Sequence, residues 1–237
     1  MKLYRGTAAA VVILGTLASQ GAAGGAEMTA GEGIVGGNSP PKEFGAALDD
    51  AVAAARSGDR VTAVSLLTRM NEAYPGEPAV LYNLGLTYEF DADGNRYKSK
   101  TLFTAAANYT RALELDPSFG PARYNLAVVW HRLGYLEEAA RHYRLAAQLG
   151  GDVARRATYN LALVLKEEGR SDEAAALLEN DKSTFEDAAR VRLMALLAED
   201  RGDTARALAL WKRALALDNS PPFNSLATRH IQTLRGY

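Results

Sequence analysis

From residue 43 onward, apolar side chains recur three and four positions apart, and Gly, Pro or short polar clusters break the run at intervals. That period is the signature of amphipathic helices, and the breaks divide them into pairs. "AVLYNLGLTYEF" and "AAANYTRALELDP" read as one such pair, and "PARYNLAVVWHRL" and "YLEEAARHYRLAAQ" as the next. Period-two alternation and β-branched runs are scarce after residue 20, so the expected class is all-α. The stretch "PPFNSLATRHIQTLRGY" opens on a Pro pair and predicts one final amphipathic helix, with Phe223, Leu226, Ile231 and Leu234 on its apolar side.

The pattern repeats itself literally. "YNLG" at 82–85 returns as "YNLA" at 124–127 and again at 159–162, intervals of 42 and 35 residues. Aligned on this phrase, Leu84, Gly85, Tyr88, Ala105, Tyr109 and Ala112 correspond to Leu126, Ala127, Trp130, Ala139, Tyr143 and Ala146, with Pro117 ending the first copy and Gly134 marking the turn of the second. Those of the second copy, Gly134 included, correspond in turn to Leu161, Ala162, Leu165, Gly169, Ala174 and Leu178. Ala195, Gly202, Ala207, Trp211 and Ala214 form a further copy, and Ala51, Gly58, Ala63, Leu67 and Pro75 an earlier, weaker one. Small residues in the first helix of a pair let the second approach closely, and large residues in the second fill the gap between pairs. Gly134, Gly169 and Gly202 stand where a positive φ would end the first helix. No single pair can bury its apolar face, so the stack itself is the core.

In these residues the chain resembles the tetratricopeptide repeat (TPR) family. The resemblance implies a TPR-type α-solenoid of antiparallel helix pairs with a C-terminal capping helix. Five units are expected, over 43–76, 78–119, 120–153, 155–187 and 188–220, with the cap over 221–237. The longer first interval is expected to hold an insertion at 91–100, "DADGNRYKSK", between the two helices of the second unit. Asp91, Asp93 and Asn95 alternate as at the start of a calcium loop, but the Gly comes too early and Leu102 stands where a bidentate Glu is needed. No metal is expected there. Tyr97, Lys98 and Lys100 are its candidate partner contacts.

The resemblance also implies that the first helix of each unit lines a concave groove. The residues it points to are Tyr82 and Asn83, then Tyr124, Asn125, His131 and Arg132, then Arg156, Tyr159, Asn160 and Lys166. Glu167 follows, and Arg192, Glu199 and Asp200 come from the last unit. An Asn amide can pair with the backbone of an extended peptide, and Tyr offers a flat apolar face with a polar tip. The same side chains can equally pack along the stack. A TPR carboxylate clamp does not fit, because in the best register Tyr82, Leu86, Asn125, Arg156 and Asn160 keep only one of its five residues unchanged. The groove is basic in its middle units and acidic in the last, which suits a partner of mixed charge or an acidic segment.

The N-terminus follows different rules. Lys2 and Arg5 precede the apolar run "TAAAVVILGTLA" at 7–18, and the small residues of "SQGAAGGA" follow. This is the layout of a bacterial secretory signal over 1–26, cleaved after Ala23 or Ala26; the run is short for a membrane-spanning helix, although an uncleaved anchor is the alternative. Residues 27–42 are rich in Gly and carry a Pro pair, as a flexible linker does. The expected location is therefore the periplasm or the cell surface.

Composition narrows the chemistry. The 27 basic and 28 acidic residues nearly balance and no basic run gathers, which argues against nucleic acid as a partner. There is no Cys, which removes disulfides, thiol nucleophiles and Cys zinc sites, and the three His stand on different helices. No Gly-rich phosphate loop and no Ser–His–acid set is present, so neither catalysis nor a cofactor is expected. The expected function is an exported interaction module with a protein or peptide partner. The alternatives are a subunit built permanently into an envelope or extracellular complex, and an accessory subunit of an enzyme whose chemistry lies on another chain.

Overall fold

The computed structural model describes residues 42–89, 99–181 and 187–236. The expected signal and nearly all of the linker, Tyr97 and Lys98 lie outside these residues. Eleven helices are described: α1 (Lys42–Arg56), α2 (Arg60–Ala73), α3 (Pro78–Glu89), α4 (Ser99–Leu115), α5 (Gly120–Leu133), α6 (Leu136–Ala147), α7 (Gly151–Glu167), α8 (Ser171–Asn180), α9 (Ala188–Asp200), α10 (Thr204–Leu217) and α11 (Pro221–Leu234). They pack in sequential antiparallel pairs, an all-helical TPR-like solenoid.

The turns within pairs follow from local chemistry. After α5, Gly134 takes φ 84°, its N–H donates to the His131 carbonyl, and the Tyr135 N–H reaches back to Trp130 at 3.0 Å. Gly169 after α7 and Gly202 after α9 repeat these two bonds, Arg170 to Leu165 and Asp203 to Ala198. This left-handed stop satisfies carbonyls that a helix end would leave open. At the other ends, the carboxylates of Asp59, Asp187 and Asp203 accept from the third backbone N–H of α2, α9 and α10.

Each pair is closed by a small residue under a large one. Tyr109, Tyr143, Leu178 and Trp211, one from each of the last four second helices, are buried, and so are their partners Gly85, Ala127, Ala162 and Ala195. The closest approach is in the second unit: a Cβ on Gly85 would stand 2.4 Å from the Tyr109 ring.

The first helices of successive units, α1, α3, α5, α7 and α9, touch one another, while among the described residues the second helices touch no second helix of another unit. The first helices therefore form the inner, closely spaced side of the stack, and the second helices the splayed outer side.

Two expectations need correction. Lys100 is not a loop residue: α4 already begins at Ser99, and Lys100 is exposed in its first turn. In α11, Leu226 faces outward at 37% exposure, and Ala227 is the residue buried beside Phe223. The helix docks through Phe223, Ala227, Ile231 and Leu234, an i, i+4, i+8, i+11 line that a search for large apolar side chains misreads by one position. Among the described residues, no helix is long and apolar enough to cross a membrane.

Candidate functional site on the inner face

Two rows of contacts run along the inner helices, and together they hold most of the residues singled out from the sequence. The first row is built from the recurring Tyr-Asn pair. Asn125 donates its amide to the Tyr82 hydroxyl one unit earlier at 3.4 Å, and Asn160 donates to the Tyr124 hydroxyl at 2.6 Å. The Tyr of one unit and the Asn of the next thus form a rung between units. Asn83 has no such Tyr before it, and bonds the Ala79 carbonyl of its own helix at 2.8 Å. The rings are well covered: Tyr124 is buried and Tyr82 half-buried, packed against Tyr109 and Phe119. Burial pushes the Tyr82 hydroxyl up to about 12, and Glu89 nearby adds to the effect. Burial also raises Tyr159, against a partial pull downward from Arg192.

The second row consists of ion pairs, two helical turns further along the same helices. Arg132 meets Glu89 at 3.1 Å, His131 meets Glu167 at 2.9 Å, Lys166 meets Asp200 at 2.9 Å, and His230 of the cap meets Glu199 at 3.0 Å. Each unit offers two adjacent positions, one directed to the unit before and one to the unit after. The mixed charge read along the groove is therefore largely matched within the stack. Glu89 was not singled out from the sequence, yet it is the most enclosed member at 1% exposure. It accepts from the Tyr109 hydroxyl at 2.9 Å as well as from Arg132. Its signal was present: an acid at the position where later units carry His131, Lys166 and Glu199.

Between the two rows lies a line of apolar residues, Leu86, Val128, Leu163 and Leu196, one from each of the last four units. All but Val128 are partly exposed. Sequence reasoning passed over them because they blend into the core pattern, and only their shared offset from the Tyr separates them from it.

Two guanidinium groups stand on the Tyr row. Arg156 lies 4.4 Å above the Tyr124 ring, and Arg192 lies beside Tyr159 and 5.9 Å from the Phe223 ring.

The outer surface adds two features. Phe103, Trp130 and Tyr135 form an edge-on ring cluster at the turn edge, with centroids 5.3 to 6.3 Å apart, and Phe103 and Tyr135 are about half exposed. On α6, His142 is buried at 6% exposure; Arg141 lies 2.9 Å from its Nε2, and its Nδ1 has no hydrogen-bond partner among the described residues. Burial, with Arg141 and Arg123 close by, lowers His142 to about 4, so it is neutral near pH 7. Among the described residues, no three His, Asp or Glu side chains are grouped to hold a metal ion.

Comparison with known proteins agrees with this geometry. Tetratricopeptide repeat models match residues 104–154 and 155–180. No curated protein matches the chain. Among solved structures, MamA superposes with a TM-score of 0.61 at 22% identity, covering 74% of this chain and 92% of its own. A tetratricopeptide repeat protein from Parabacteroides merdae gives 0.65 at 18% identity, over 83% and 75%. The thermophilic TPR protein TTC0263 of Thermus thermophilus gives 0.53 at 20% identity, over 79% and 98%. Residues 104–180 are thus tetratricopeptide repeats by family-model match, and the helices on either side continue the same TPR-like stack.

Proposed function

We propose that this protein is an exported, non-catalytic scaffold that holds a protein partner along the inner face of its helical stack. The observation that carries this reading is the row Leu86, Val128, Leu163 and Leu196. It is an apolar line with one residue from each of the last four units, partly exposed at Leu86, Leu163 and Leu196 and buried at Val128, bordered on both sides by polar rows already fixed by their own contacts. A fixed polar border costs a partner little ordering, and an apolar floor supplies the driving force. Tyr82, Asn125, Tyr124 and Asn160 then act chiefly as the frame of the groove. The Asn side-chain oxygens remain as acceptors for a partner backbone.

Export is supported by the charged start, apolar run and small-residue segment of residues 1–26. N-terminal sequencing of protein recovered from the periplasmic fraction tests it, with Gly24 or Glu27 as the expected first residue. Recovery only from the cytoplasm with Met1 retained would overturn it.

For the groove, the full chain and its Leu86→Glu/Leu163→Glu variant are compared as bait in the envelope fraction. A stoichiometric partner lost by the variant, with the helical melt intact, supports the reading; an unchanged partner overturns it. A second reading, a subunit built permanently into a larger assembly, is favoured by the exposed cluster of Phe103, Trp130 and Tyr135. On that reading the partner survives the groove variant and is lost with Phe103→Ser/Tyr135→Ser.

A further inference from the structure

On the inner side, nearly every charged side chain is matched. Arg132, His131 and Lys166 each meet a carboxylate of the neighbouring unit, as Glu199 meets the cap. Arg190 at the start of α9 pairs with Asp181. Arg156 and Arg192 stand apart. Among the described residues, neither meets a carboxylate at ion-pair distance, and each instead lies against the Tyr of the preceding unit. Asp218 is within electrostatic range of Arg192 but accepts from the Ser220 N–H. Both guanidiniums are partly exposed. Neither an aromatic ring nor the Tyr159 hydroxyl, which accepts from Arg192, neutralises a guanidinium, so each retains its charge and further N–H donors.

We infer that Arg156 and Arg192 are paired carboxylate receptors, and that the partner in the groove is an extended segment with two acidic residues three positions apart and apolar residues between them. This rests on the groove reading above and gives the partner its chemistry. The spacing follows from the fold: α7 and α9 are packed first helices, whose axes lie about 8–10 Å apart, and a chain in the polyproline II conformation advances about 3.1 Å per residue and returns every third side chain to the same face. The apolar residues between the acids then reach Leu163 and Leu196. A guanidinium can take a carboxylate through two parallel N–H bonds, which fixes the register as well as the sign of charge.

The test uses the full chain and three fluorescein-labelled ten-residue peptides in anisotropy titrations. One carries Glu at two positions three apart with Leu and Val between, the second has both Glu replaced by Gln, and the third moves the second Glu next to the first. Tighter binding of the first peptide, by tenfold or more over the Gln peptide and several-fold over the shifted one, is expected. Arg156→Ala/Arg192→Ala should erase the preference, and Arg156→Lys/Arg192→Lys should keep the preference for Glu over Gln while weakening that for spacing. Circular dichroism melts identify any variant that fails to fold, and the Lys pair then carries the test.

Equal binding of the Glu and Gln peptides, or a preference that survives in the Ala variant, overturns the inference. Equal binding of the two peptides that is lost for both on Leu163→Glu overturns the inference and leaves the groove reading standing. Binding of single-stranded DNA in preference to the Glu peptide, with the same dependence on both Arg, would make the receptors polyanion sites and also overturns it.

Discussion

The joint between the second and third units and the joint between the fourth and fifth are built from the same helices in the same order, yet different physics holds them. At the first, Tyr109 is wholly buried, packs on Tyr82, bonds Glu89 and lies hard against Gly85, while Arg132 of the next unit closes the same network. At the second, Leu178 stands where the first has Tyr109, and Tyr159 meets the Arg192 guanidinium across the joint. Leu178, Leu193 and Leu197 pack there, and charged contacts surround them: Arg190 to Asp181 and to the Leu178 carbonyl, Arg201 to Asp172, Arg206 to Glu179, and Lys166 to Asp200. Large-ring packing is indifferent to ionic strength, whereas pairs exposed to water are screened by it. One fold therefore has a joint fastened by packing and another fastened in part by charge.

The largest expected effect removes the ring. Tyr109→Ala should cost about 3–5 kcal/mol, the usual loss for a buried aromatic, and leave Glu89 with one fewer donor. The thermal midpoint should fall equally at low and high salt. At the other joint, Arg190→Ala should cost about 2–3 kcal/mol, because it leaves a partly buried Asp181 and a buried carbonyl without that partner. Arg190→Met should lose less than Arg190→Ala if packing contributes alongside charge. Next comes Gly85→Ala, about 1–3 kcal/mol of overpacking against a ring that has no free space, although Ala already occupies the equivalent positions 127 and 162. If Gly85→Ala is neutral in urea unfolding, the tight closure of the first joint is not what distinguishes it.

His142 supplies a smaller effect that belongs to neither joint. Its folded value, lowered to about 4, lies below the ordinary imidazole value of 6.5, so the unfolded chain binds more protons between those limits. Its contribution is fully present above pH 6.5 and declines as pH falls from 6.5 to 4, by about 1–2 kcal/mol after allowing for solvent screening. His142→Leu should flatten that slope in urea titrations at pH 4.5 and 7; an unchanged slope would place the titrating group elsewhere.

How much of this could be read in advance follows from what repeats and what does not. Gly134, Gly169 and Gly202 announced the turns because a positive φ has few other solutions, and Tyr109, Tyr143 and Trp211 announced the packing because size is written in the residue type. The Tyr-Asn phrase was equally visible, but its direction was not. Whether Asn125 reaches outward or back to Tyr82 depends on the rotation between units, which a sequence period does not carry. The ion-pair row was hidden for the same reason: Glu89, His131, Lys166 and Glu199 share a position but not a charge. Their complementarity appears only when each is set beside the next residue of the following unit. Ala227 was missed because a helix can dock through a small residue wherever its neighbour is close.

The smallest expected effect is the most direct on the comparison itself. Raising NaCl from about 0.05 to 1 M shortens the screening length from about 14 to 3 Å, below the reach of exposed pairs but with little influence on a buried network. Arg201–Asp172 and Arg206–Glu179 are the pairs most open to water at the second joint, and Glu89–Arg132 is shielded at the first. Each exposed pair is worth about 0.2–1 kcal/mol, so amide exchange in α9 and α10 should accelerate by about two- to fivefold with salt. Exchange in α3 and α5 should stay level. Arg201→Gln/Arg206→Gln should reproduce the faster exchange at low salt and remove most of the salt response. If α3 accelerates as much as α9, the stack opens as one cooperative unit and the two joints are not energetically distinct.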